Sequence, residues 1–247
     1  MTTSNGKPLE LVEHRRHGRK PLHTCFQSIR GLDHGLLHGM AAFVVAYAAN
    51  RDLDSGYWRM TKIRINHALS SNNLLDPTPL SKDGPSYLAS PLPKRTRPRP
   101  KIMARTMPQR QVPGSIDSET KACLHTLMRD IASAHPDILE IKPSHTEGKS
   151  TDGLYARPDT STLNPVARDK LLNHEIAHAH PAENSLHVWL SEPDARAVIE
   201  AGWGQRFPLT FVHKGWTMVY APMNMNELET VERIVKAGVA WITGVSI

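Results

Sequence analysis

The 247-residue chain has only two cysteines, Cys25 and Cys123. So isolated a pair builds no disulfide framework and lacks the spacing of metal-binding cysteines, so a reducing, cytoplasmic compartment is the expectation. Long hydrophobic runs are missing too. The longest, Gly35 to Ala49 with His38 inside it, is shorter than the roughly 20 residues of a spanning helix. It reads as a buried helix or one resting on a bilayer surface. Met1 to Arg30 shows no apolar stretch of a secretory leader. No repeat and no collagen-like or coiled-coil bias is present, and 39% apolar with 22% charged residues describes a globular chain.

Positive charge is there, but only in one half. Residues 1–110 hold 18 Lys and Arg against 7 Asp and Glu, a net +11, whereas residues 111–247 hold 12 against 17, a net −5. The densest basic run, Pro91 to Lys101, is interleaved with proline. Proline favours an extended, solvated connector over a helix that enters a nucleic-acid groove, so nucleic acid is not the expected partner.

The organisation follows from composition and period. Residues 1–30 are a basic tail, 31–69 a helical segment, and 70–101 a linker rich in Pro, Ser and basic residues. Residues 102–247 form the patterned domain. Asp117 caps an amphipathic helix to His135 with apolar residues at 124, 127, 128 and 131. Short strands are expected at 138–141 and 152–156, then at 173–180 and 185–190, joined by Pro181-Ala-Glu-Asn184. A helix over 192–201, a strand over 216–220 and a helix over 226–241 complete the pattern. The fold class is α+β: a small, mostly antiparallel sheet with helices on one face, preceded by a helical N-terminal region.

Histidines carry the chemistry. His174-Glu-Ile-Ala-His178 matches the zinc-peptidase signature, which needs a helix, yet Pro181 follows three residues after His178. As a strand, the same segment puts His174, His178 and His180 on one face by simple alternation, with His187 within reach on the next strand. Three imidazoles suit either a metal or proton transfer near neutral pH. Gly202-Trp-Gly-Gln-Arg206 is expected as a glycine-bracketed loop offering Trp203 as a stacking wall and Arg206 as an anion fork.

Glu175-Ile-Ala-His178-x-His180, Leu186-His187, Gly202-Trp-Gly-Gln-Arg206 with Pro208-Leu209, Trp216 leading to Tyr220-Ala-Pro222, and Val231-Glu-x-Ile-Val235 resemble the fungal luciferase family and its non-luminous relatives. Gln109-Arg-Gln111 resembles an upstream motif of that family. The resemblance is strong over 175–242 and thin before residue 95. It implies an oxygenase that adds dioxygen to a 3-hydroxylated α-pyrone without metal or organic cofactor, the endoperoxide then losing carbon dioxide, in secondary metabolism.

With that resemblance, the expected catalytic residues are His178, His180 and His187 as bases and Arg206 as anion partner. Gln109, Arg110, Glu175, Trp203, Gln205, Trp216 and Tyr220 are expected to bind substrate. A small molecule is the expected partner, with weak membrane-surface contact through the tail and the 35–49 run. The alternatives are a non-oxidative decarboxylase or hydrolase of polyketide lactones, and a non-catalytic binding domain. Phe207 stands where luminous members have His, and His174 where they have a basic residue, which implies a non-luminous relative.

Overall fold

The computed structural model describes residues 73–104 and 108–247. The tail 1–30 and the segment 31–69, with its apolar 35–49 run, lie outside the described residues. Helix α1 spans Ser118–Ala134. The Asp117 side chain accepts from Thr120 N at 2.7 Å, satisfying a first-turn donor that the helix cannot. Its buried stripe is Leu124, Leu127, Met128 and Ile131. Fully burying such a side chain contributes about 1.5–3 kcal/mol.

Strands β1 (Leu139–Pro143), β2 (Asp152–Ala156), β3 (Glu175–Ala179) and β4 (Leu186–Trp189) follow, then helix α2 (Glu192–Glu200), strands β5 (Gly204–Arg206) and β6 (Trp216–Val219), and helix α3 (Met225–Thr243). Asn224 caps α3 by accepting from Glu227 N at 3.0 Å, and Gly244, in the left-handed region at φ 73°, closes it. The strands form one sheet in the order β1-β2-β3-β4-β6-β5, with every pairing antiparallel. The α+β architecture expected from the sequence is the one observed.

Two segments differ from expectation. Gly204–Arg206, expected as a loop, is an edge strand on β6. Three residues carry no period of their own, so the open edge of β6 decides their conformation. Residues 73–104 lack helix and hold only a single bridging residue, as their prolines dictate, and most are exposed, but they are tied to the domain at several points. Leu80 is buried, Ser86 Oγ and Tyr87 N donate to the Asp194 carboxylate at 2.6 and 2.8 Å, and Trp203 Nε1 donates to Pro93 O at 2.7 Å. The domain supplies partners to a backbone that cannot pair with itself.

The two sheet faces are unlike. Register aligns Leu154, Ala177 and Val188, which join Val231, Ile234 and Val235 of α3 in the apolar core. Helix α3 packs on β2, β3 and β4, α1 on β1, β2 and β3, and α2 on β5 and β6. The other row, Gly153, His178, His187, Met218 and Gln205, is largely polar. It is buried because residues 95–104 and 108–111 lie over it, tied by the Ile102–Gln111 bridge and by hydrogen bonds from Arg99 to Gln205 and Tyr220.

Candidate functional site

The covered face is built on an irregularity in β3. Leu154 opposes Ala177 and Tyr155 opposes Glu175, so Ile176 is an extra residue, a β-bulge. The bulge turns Glu175 onto the face of His178, where simple alternation would put it on the opposite side. His174 is the residue displaced from expectation. It stands before the bulge at φ 68° and stays out of the cluster, which also removes the helical zinc-peptidase reading, since Glu175–Ala179 is a strand.

Glu175 is fully buried and satisfied on every side. It accepts from Ser144 Oγ at 2.6 Å, His145 N and Thr146 N at 3.0 Å, Tyr155 OH and Thr146 Oγ1 at 3.1 Å, and lies 2.8 Å from His178 Nδ1. Those bonds fix the 144–151 turn between β1 and β2, and the turn delivers Glu147. One Glu147 oxygen lies 3.5 Å from His178 Nε2 and 3.4 Å from His180 Nε2. Its other oxygen pairs with Arg110, which also holds Glu183 at 2.9 Å.

His178, His180 and His187 converge with ring centroids 5.0–5.1 Å apart, and their ligating atoms and a Glu147 oxygen all lie within 4.8 Å of one another. Trp216 stacks on His187 at 5.7 Å and 14°, and Phe207 meets the same ring edge-on at 5.3 Å. His180 Nε2 is buried and has no hydrogen-bond partner among the described residues.

Charge follows from this geometry. Burial opposes a charged His178, but the facing Glu147 and Glu175 carboxylates outweigh it and raise its pKa to about 9. Burial pushes His180 down, partly offset by Glu147, and pushes His187 well down, helped by the neighbouring imidazoles. Burial would raise Glu147 and Glu175, yet the histidine contacts hold both below the ordinary carboxylate range. One cationic centre therefore sits between two buried anions.

Gln109, Arg110, Glu175 and Trp216 join the three histidines as expected from the sequence. Gln109 Oε1 is 3.3 Å from His187 Nε2, and its amide donates to Arg206 O at 3.0 Å. Gln205 and Tyr220 are bonded to each other and to Arg99 beside the cluster. Arg206 does not join them. Its guanidinium donates to the Asp76 and Asn73 carbonyls at 2.8 and 2.9 Å, because position 206 alternates away from Gln205. Arg110 is the guanidinium at the site instead. Trp203 is likewise a plug under the 93–95 strap rather than a wall of the cluster. Glu147 was missed. Its only signal was a carboxylate in the polar Ser144–Ser150 turn, and nothing local ties it to histidines some 30 residues on.

Residues 173–238, which contain β3 to most of α3, match the family described as Luciferase domain. Over these residues the chain is similar to luciferase domains. It is 32% identical over 164 residues to a luciferase of Neonothopanus nambi, with 62% of this chain and 61% of that one aligned. It is 31% identical over 170 residues to a luciferase of Armillaria gallica and 32% over 171 to one of Armillaria ostoyae, with the same coverage. The chain thus spans 61% of the length of these relatives. No solved structure matches it significantly. The three histidines lie inside the matched luciferase-domain segment, while Glu147, Gln109 and Arg110 lie before it. Among the described residues, no helix is long and apolar enough to cross a membrane.

Proposed function

We propose that this luciferase-domain protein is an enzyme that binds a small enolic molecule of the hydroxy-α-pyrone class at the histidine face. It favours the deprotonated enol and presents it to dioxygen, and the peroxide adduct loses carbon dioxide. The observation that supports this is the burial together of His178, His180, His187, Glu175 and Glu147, all but Glu147 within the segment 173–238 that matches the luciferase domain. A fixed positive centre in a water-excluded site stabilises a developing enolate far more than water does. Trp216 and Phe207 pack against His187 and give the histidine face an apolar border. An enolate is itself electron-rich enough to reduce dioxygen, so the reading calls for no organic cofactor.

The test is oxygen uptake and carbon dioxide release by the full chain on a 3-hydroxy-α-pyrone. Both are expected, and His187→Asn should lower turnover by about 10²–10⁴-fold, the size of losing one general base. Carbon dioxide release without oxygen uptake would make the protein a non-oxidative decarboxylase. Ligand binding with neither product would make it a binding domain.

A further inference from the structure

We infer that Glu147, His178, His180 and His187 form a binding site for one divalent first-row transition-metal ion. This goes beyond the proposed activity, does not depend on it, and departs from the metal-free expectation that came with the family resemblance.

The first ground is spacing. A tetrahedral ion with bonds of about 2.0–2.1 Å holds its donors roughly 3.3–3.4 Å apart. The observed separations are 3.2 Å from His187 Nδ1 to His178 Nε2, 3.5 Å from His178 Nε2 to Glu147, and 3.4 Å from His180 Nε2 to Glu147. Imidazole and carboxylate donors together suit zinc, iron(II) or cobalt(II).

The second ground is the direction of the lone pairs. His178 Nδ1 faces Glu175, which only accepts, so Nδ1 keeps its hydrogen and Nε2 is the nitrogen whose proton a metal ion would replace. Gln109 donates its amide to Arg206 O, so its Oε1 takes the hydrogen of His187 Nε2 and leaves Nδ1 free. His178 Nε2 and His187 Nδ1 then face each other at 3.2 Å, a contact that either a proton on Nε2 or one shared metal ion satisfies. The third imidazole is held by Ser185 Oγ at 2.9 Å on Nδ1, and its buried Nε2, 3.4 Å from Glu147, makes no hydrogen bond. Each ring is thus oriented through its far nitrogen by a carboxylate, an amide or a hydroxyl, as metal-bound histidines are.

The third ground is charge. Glu147, Glu175 and Glu183 face a single Arg110 in this contact network, leaving two negative charges. A divalent ion cancels both, whereas one proton leaves an uncompensated buried anion.

The test strips the purified full chain with a chelator and titrates it with cobalt(II), following the visible absorption and the bound metal by equilibrium dialysis. One equivalent with a four- or five-coordinate spectrum is expected. It should be lost in His180→Asn and kept in His125→Asn, which lies outside the cluster. Glu175→Gln, behind the ligand His178, should weaken affinity about 10–100-fold while leaving one site. Where His180→Asn fails to fold, Glu147→Gln reads the same loss of cobalt. Absence of stoichiometric cobalt in the wild type, or binding unchanged in both His180→Asn and Glu147→Gln, overturns the site and leaves the central charge to a proton. Oxygen uptake is scored separately, so failure of the proposed activity leaves this result standing.

Discussion

Glu175 and His178 stand three residues apart on one strand and still meet on the same face, Oε1 to Nδ1 at 2.8 Å. The single extra residue at Ile176 makes this contact, and through it the carboxylate reaches both the histidine cluster and the turn that carries Glu147.

Glu175→Ala should therefore be among the most damaging substitutions in the domain. It leaves Ser144, Thr146 and Tyr155 without their acceptor and removes the buried partner of His178. A loss of about 3–5 kcal/mol is expected from breaking such a buried pair. Urea unfolding measures it, and a loss below 1 kcal/mol, roughly that of an exposed pair, would contradict this account of the turn.

Gly153 makes room for that carboxylate. A Cβ there would lie 2.9 Å from Tyr155 Cε2 and 3.1 Å from Glu175 Oε1. Gly153→Ala should cost about 1–3 kcal/mol through crowding. Unfolding midpoints compared with those of Gly148→Ala, where nothing lies within 4 Å but φ is +60°, separate crowding from backbone strain.

His213 should make stability depend on pH. Burial lowers its pKa, with Glu192 and Asp169 pulling upward and Lys214 downward, and its Nδ1 accepts from Gly215 N at 3.1 Å beside the Trp189 ring. A histidine with a depressed folded pKa is protonated first in the unfolded chain, so its contribution is complete above the ordinary value of 6.5 and declines as pH falls below it. The stability gap between wild type and His213→Gln should narrow from about pH 7.5 to about pH 5.5. A gap that widens on acidification would reverse the sign.

The 73–104 strap should resist proteases although it is mostly irregular. Asp194 holds it through Ser86 and Tyr87. Asp194→Ala should expose cleavage sites between residues 80 and 100 that are protected in the wild type, because local opening sets cleavage there. Limited proteolysis with mass mapping gives the comparison, and equal protection in both proteins would assign the strap's order to other contacts.

Helices α1, with its Asp117 cap, and α3, by its apolar stripe, were legible in the sequence because a cap and a stripe of period 3.6 are local facts. Strands β3, β4 and β6 and the meeting of His178 with His187 followed from alternation and a short hairpin, again within a few residues. Tertiary structure decided the remainder. The bulge at Ile176, the strand at 204–206, the turn of Arg206 toward residues 73–77 and the arrival of Glu147 each depend on a partner distant in the chain. A backbone donor or a buried carboxylate must find its partner wherever the fold puts one, and sequence period reports only which face a side chain leaves from, not what waits on the other side.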